Sequence, residues 1–129
     1  MHLPKDLFYT KDHEWVRIEG QVAHVGITDY AQHALGDITF VELPKIGETV
    51  KQSVYCATVE SVKAASDVYA PLSGKVMAVN AQLTAHPELI NQSAYEKGYF
   101  FSMEISNEKE KLNLMDASAY QKYTEGLTK

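Results

Sequence analysis

The chain has one cysteine, Cys56, in 129 residues. An intramolecular disulfide is impossible, and a cysteine-built zinc site is excluded. That scarcity fits a reducing, cytoplasmic setting. Long hydrophobic runs are missing as well, the longest purely apolar stretches being four residues, as in Val54–Ala57 and Val76–Val79. A bilayer-spanning helix needs roughly 20. The opening stretch Met1–Asp6 shows neither a signal-peptide h-region nor an Arg/Ser-rich transit pattern, so the protein is expected to stay where it is made. Basic charge is scarce too: twelve Lys and Arg stand against seventeen Asp and Glu, for a net charge of −5. Without a dense basic cluster, nucleic-acid binding is not expected.

The usual catalytic signatures are also missing. The seven glycines are scattered and never form a phosphate-cradling loop. His2, His13, His24, His33 and His86 show no HExxH or HxxxH spacing, so no metal site is expected. Ser73 sits in Leu72-Ser73-Gly74, not in a GxSxG elbow. Cys56, in an apolar strand, reads as a small buried hydrophobe. No catalytic machinery is visible.

What the chain does have is a series of short strands. With 45% hydrophobic and 22% charged residues it is globular, and its length fits one domain, residues 1–129. His13–Ile18 and Gln21–Ile27 flank Glu19-Gly20 as a hairpin. Ile38–Leu43, Thr49–Lys51, Val54–Ser61, Asp67–Ala70, Gly74–Asn80 and Tyr99–Ile105 continue the series, punctuated by Pro44, Gly47, Pro71, Gly74 and Gly98. Such a pattern predicts a small sandwich or barrel.

Helices are few. Thr28 or Asp29 caps a short helix through Leu35, stopped by Gly36. Pro87–Asn91 fits a single turn. Asp116 caps a C-terminal helix to about Glu125, closed by Gly126, with Tyr120, Tyr123 and Leu127 on one packing face.

Val41–Val50 and Val68–Met77 share the pattern apolar-x-x-Pro-x-x-Gly-x-x-apolar, 27 residues apart. Either this is a chance recurrence of strand–turn–strand units or it marks two pseudo-symmetric halves. Between the copies, Glu60–Asp67 is polar and small-residue-rich and reads as an exposed hairpin tip with Lys63 near its apex. A lysine at such a turn is ordinarily just solvated. Here Ala64, Ala65 and Ser66 leave its amine unobstructed, and flanking strands hold the hairpin. That arrangement suits covalent attachment of a long swinging cofactor, which would also remove the lysine's charge. A rival is an enzyme with Lys63 as Schiff base or general base, but such a lysine is normally desolvated in a pocket.

Several segments together resemble the H-protein family of the glycine cleavage system. They are His13–Val16, Gly26–Gln32, Gly36–Pro44, Val59–Asp67, Ala70–Val76 and Leu89-Ile90-Asn91 followed by Ser93 and Tyr95. The likeness runs from about Tyr9 to Tyr123. Glu-Ser-Val-Lys-Ala followed by Pro-x-Ser-Gly is specific: related lipoyl domains usually carry Asp-Lys-Ala, and biotinyl domains Met-Lys-Met.

The resemblance implies a mainly β, lipoyl-domain-like barrel-sandwich hybrid, a flattened β-barrel with short helices and a C-terminal helix. It implies a non-catalytic carrier with lipoic acid joined as an amide to Lys63. Glu60 and Gly74 match positions tied to recognition by the lipoate-attaching enzyme. Glu14 and Asp67 match positions near a cleft where the loaded arm docks. The implied partners are pyridoxal-phosphate-dependent glycine decarboxylase, tetrahydrofolate-dependent aminomethyltransferase and dihydrolipoyl dehydrogenase. A lipoyl-relay or depot carrier serving other lipoate-dependent complexes is the alternative role. Two departures are His33-Ala34, where some relatives have His at the second position, and Ala94–Tyr99, where the family commonly shows Pro-Tyr-Gly-Glu-Gly-Trp.

Overall fold

Strand pairing begins at Gly20, whose left-handed φ of +63° closes the hairpin between β2 (Glu14–Glu19) and β3 (Val22–Ile27). The computed structural model describes residues 2–127; Met1, Thr128 and Lys129, which the single-domain expectation takes in, lie outside the described residues. After β3 come α1 (Asp29–Leu35), β4 (Ile38–Glu42), β5 (Thr49–Val50), β6 (Tyr55–Ser61), β7 (Ala65–Tyr69) and β8 (Gly74–Val79). Then follow the short helices α2 (Gln82–Ala85) and α3 (Leu89–Gln92), strand β9 (Phe101–Ile105), a 3-10 helix (Glu108–Asn113) and α4 (Ala117–Leu127). A two-residue strand, β1 (Phe8–Tyr9), precedes them all.

All the pairings are antiparallel and form two sheets. One has six strands in the order β1-β2-β3-β9-β8-β5, the other three in the order β4-β6-β7. The main core lies between them, with Val25, Val76, Phe101 and Met103 from the larger sheet meeting Val41, Ala57, Val59 and Val68 from the smaller. The mainly β, flattened-barrel expectation is borne out. A second cluster of Leu7, Tyr9, Trp15, Ala94, Tyr95 and Tyr120 seats α4, with Tyr120 stacked on Tyr9 at 4.7 Å between ring centroids.

Both copies of the sequence repeat are strand–turn–strand units that cross between sheets, β4 to β5 and β7 to β8. Their glycines do different work. Gly47 is a turn residue with φ of +90°, whereas Gly74 lies in β8, where a β-carbon would collide with the Glu104 carbonyl oxygen. Close approach of β9, not turn geometry, demands that glycine.

Helix ends needed small corrections. Thr28, not Asp29, caps α1, its hydroxyl accepting from Ala31 N, while Gly36 stops the helix with φ of +82°. Helix α4 runs through Gly126 to Leu127, so Gly126 is not a left-handed stop. Leu127 stays 48% exposed and does not join the packing face with Tyr120. Strand β1 has no local pattern; backbone bonds between Tyr9 and Met115, both 2.8 Å, hold it in place.

These glycines make opposite forecasts for a denaturant melt. Gly74→Ala should destabilise the protein by about 3 kcal/mol, because backbone on β9 must move to admit the methyl group. Gly126→Ala, with open space around it, should raise stability by up to about 1 kcal/mol through helix propensity.

Candidate functional site

The β6–β7 register pairs Thr58 with Asp67, Val59 with Ser66 and Glu60 with Ala65, which leaves residues 61–64 as the turn. Ser61 builds that turn. Its amide donates to the Ala64 carbonyl at 2.7 Å, and its hydroxyl oxygen accepts from the amides of Lys63 at 3.3 Å and Ala64 at 3.1 Å. Such side-chain-to-backbone bonding is what serine does at tight turns. The apex is then tied sideways, because the Val62 amide donates to the Asp37 carbonyl at 3.1 Å. Val62 itself is 70% exposed, so packing of its side chain does not fix the tip.

Lys63 is exposed, and among the described residues no hydrogen bond or ion pair engages its ammonium. Its stem lies over Gly36, where a β-carbon would stand 3.7 Å from Lys63 Cε. The structure therefore fixes the backbone under the lysine and leaves the amine in solvent.

Glu60 is exposed on the outer face of the three-stranded sheet, between Phe40 on β4 and Ala65 on β7. Asp67 shares that face one diagonal away and is likewise exposed. No strand of this sheet contains a lysine or arginine, so Glu42, Glu60 and Asp67 face solvent on an acidic surface beside the Lys63 tip.

Glu14 behaves differently from Asp67. It is 1% exposed, with Oε1 accepting from the Thr10 hydroxyl at 2.6 Å and Oε2 from the Tyr69 amide at 3.0 Å. Burial pushes its carboxyl up to about 7, the Thr10 and Tyr69 hydrogen bonds only partly opposing it, with nearby Asp12 adding to the rise. Glu14 lines a cleft of about 230 Å³ with Thr10, Gln52 and Pro71, among others. Asp67 does not line it, so the structure does not gather the two carboxylates around one cavity: Glu14 meets β7 at Tyr69, two residues beyond Asp67. Gly74 lies in the six-stranded sheet, opposite Ile105 and Val50, rather than at the hairpin tip.

His33 and Ala34 are both exposed and line a separate hollow on α1 with Asp29 and Tyr30. Sequence pattern alone did not pick out Ser61 or Gly36 as parts of the lysine's support. A serine two residues before the lysine was the available signal for the first. For Gly36 there was none beyond its helix-stopping role.

The glycine cleavage H-protein family profile matches residues 7–126. The chain belongs to the glycine cleavage H-protein family. It is 53% identical over 121 residues to a glycine cleavage system H protein of Endomicrobium trichonymphae, covering 94% of this chain and 98% of that relative. It is 55% identical over 115 residues to one of Thermotoga maritima, covering 89% and 93%. A crystal structure of a glycine cleavage system H protein from Mycobacterium marinum superposes with a TM-score of 0.84 at 37% identity, covering 95% of this chain and 98% of that one. As a family member, the chain is a non-catalytic lipoyl carrier of glycine cleavage, with lipoate covalently held on a lysine, and it works with other components of that system. Among the described residues no helix is long and apolar enough to cross a membrane.

The raised Glu14 carboxyl has a measurable consequence. Below its ordinary value of 4.5 the group is neutral in folded and unfolded chains alike. Between pH 4.5 and about 7 the unfolded chain ionises while the folded one resists, so stability falls as pH rises, by about 3 kcal/mol in all. Glu14→Gln does not titrate and keeps an acceptor for the Tyr69 amide, while its amide nitrogen takes the place of the oxygen that faces Thr10. The wild-type stability minus that of Glu14→Gln, from urea melts, should decline across this window and flatten above it; a constant difference would contradict the assignment.

Proposed function

We propose that Lys63 is the lysine that carries the lipoyl group, that the outer face around Glu60 is read by the lipoate-attaching enzyme, and that the whole chain acts as one carrier domain in the cytoplasm. The observation that carries this reading is the Lys63 amine, solvent-exposed on a turn whose backbone is hydrogen-bonded both within itself and to Asp37. An enzyme that must acylate one lysine of eleven needs a fixed surface around a mobile amine. Free, buried Cys56 supports the reducing compartment.

Attachment is a simple acyl transfer. The neutral Lys63 Nζ attacks the acyl carbon of lipoyl adenylate, a C–N bond forms as the C–O bond to adenylate breaks, adenylate leaves, and the nitrogen's proton passes to water. Nothing is oxidised or reduced. The product amide carries no charge, so an ammonium at the hairpin tip is replaced by a neutral arm. Held as an amide on Lys63, a lipoyl arm would supply a disulfide able to take up the aminomethyl carbon with the electron pair left by decarboxylation of glycine, one sulfur bonding that carbon and the other leaving as a thiolate.

In this reading the hairpin enters the active sites of glycine decarboxylase, aminomethyltransferase and dihydrolipoyl dehydrogenase in turn. The chain supplies a fixed base for the arm and a place for it to rest. Glu14, lining the cleft beside Tyr69, is the carboxylate that a resting arm would meet there, whereas Asp67 would be met separately, on the outer face of the hairpin. Each Glu14 oxygen uses one of its two acceptor sites in the bonds described, which leaves capacity for an ammonium-like nitrogen. Gly74 acts on attachment through the fold, by letting β9 close on β8.

Incubated with lipoate, ATP and a lipoate–protein ligase, the wild-type chain should gain one lipoyl group, mapped to Lys63 by peptide mass spectrometry. Lys63→Arg keeps the charge and should gain none; a lipoylated Lys63→Arg protein would refute the site. Glu60→Ala should slow attachment about tenfold, the scale of one lost charged hydrogen bond, with an unchanged thermal melt.

A further inference from the structure

The lysine hairpin rests on residues 36–38, and those residues are held by one side chain from elsewhere in the fold. Asn91, on α3, accepts from the Ile38 amide at 2.9 Å through Oδ1. Through Nδ2 it donates to the Gly36 carbonyl at 2.9 Å and to Gln32 Oε1 at 2.9 Å. Both amide protons and the oxygen are therefore engaged, and only this orientation of the group satisfies a peptide N–H on one side and a peptide C=O on the other. The clasp straddles Asp37, gripping the residue before it and the residue after it.

Asp37 is the residue whose carbonyl accepts from Val62. Among the described residues, that bond is the backbone hydrogen bond joining residues 62–64 to anything outside the hairpin. Gly36, gripped on its carbonyl by Asn91, is also the floor beneath the Lys63 stem. A continuous physical path thus runs from α3, through one amide side chain and one peptide segment, to the backbone at Val62, immediately before the lysine.

Gln32 extends the clasp, its own amide donating to Asp29 at 2.7 Å, so the last turn of α1 is tied in as well. None of these groups reaches the Lys63 amine. They set where the turn sits.

We propose that Asn91 is a positioning residue for lipoate attachment: by clamping residues 36–38 it holds the Lys63 turn in the one conformation that the attaching enzyme reads. The proposal rests on Lys63 being the attachment site. When the acceptable conformation is only partly populated, the apparent affinity of a partner falls by that fraction while the step after binding is unchanged. Loss of the clasp should therefore appear in KM for the carrier rather than in kcat.

The test compares the full-length wild type with Asn91→Ala and Asn91→Asp, each incubated with lipoate, ATP and a lipoate–protein ligase. Asn91→Ala removes all the contacts, whereas Asn91→Asp keeps the acceptor for Ile38 and loses both donors. Both should raise KM about tenfold, the scale of one net hydrogen bond, with kcat within about twofold. Amide hydrogen exchange supplies the second readout: Val62 should exchange about tenfold faster in both variants, while the Ile105 amide, bonded to Gln21 at 2.7 Å in the other sheet, keeps its protection. Wild-type KM in either variant overturns the proposal. So does equal loss of protection at Val62 and Ile105, which would mean general destabilisation. A wild-type chain that gains no lipoyl group on Lys63 would instead overturn the carrier-site reading on which the proposal stands.

Discussion

The register of the β6–β7 hairpin is the constraint on which the rest of the molecule depends. Val59 and Val68 point into the core while Glu60 and Asp67 point out. A one-residue slip would turn every side chain of one strand to the other face. Burial of a valine stabilises by about 2 kcal/mol, so such a slip would cost several kcal/mol at these positions alone. The same pairing decides which residues form the turn, and hence that Lys63 stands at the apex. Packing between the sheets thereby fixes the position of a side chain that packs against almost nothing.

Polar groups brought inside the fold are matched with the same economy. Among the described residues, no buried side-chain nitrogen or oxygen lacks a hydrogen-bond partner. His13 Nδ1 lies 2.7 Å from the Tyr120 hydroxyl, which lies 2.8 Å from Thr28 Oγ1. Trp15 donates to the Ala94 carbonyl at 2.9 Å. These bonds join α4, the cap of α1 and the start of β2. His13 has a left-handed φ of +67°, and burial lowers its pKa, with nearby Asp12 opposing. Glu14, next in the chain, uses its carboxyl to secure β7 at Tyr69. Two neighbouring residues thus link the C-terminal helix on one side to the lysine hairpin on the other.

Much of this was legible in the sequence, and for identifiable reasons. Strands with one face in the core announce themselves by alternation, and the Gly36 stop and an exposed tip within Glu60–Asp67 by residue type. Elements that owe their existence to distant partners gave no such signal. Strand β1 is two residues caught between its partner β2 and an isolated bridge from Tyr9 to Met115, and the 3-10 helix is held where Glu110 accepts from the amide and hydroxyl of Ser73, both at 2.8 Å. Gly74 looked like a turn glycine because it follows Pro71 and Ser73, yet its real neighbour is β9. That Glu14 is buried had no signal in the pattern around it. Asn91 is the sharpest case, because Ile38 lies 53 residues from it in the chain. Spacing and periodicity carry no information about a bond of that kind.

The contrast between a fixed turn and a loose side chain has an energetic logic. Ordering a backbone residue costs about 1–2 kcal/mol, and ordering a lysine side chain up to about 2. Were the 61–64 turn floppy, a partner enzyme would have to order several residues as well as the side chain, and its affinity would fall accordingly. Here the turn is already ordered by Ser61, Asp37 and the clasp behind it. A partner has only the side chain left to immobilise. With Lys63 as the proposed attachment site, the same saving would apply to every partner that meets this hairpin. A carrier that must bind several partners in succession, and leave each, gains from surrendering little entropy at every encounter. Rigid backbone beneath a mobile lysine is the arrangement that keeps that recurring cost small.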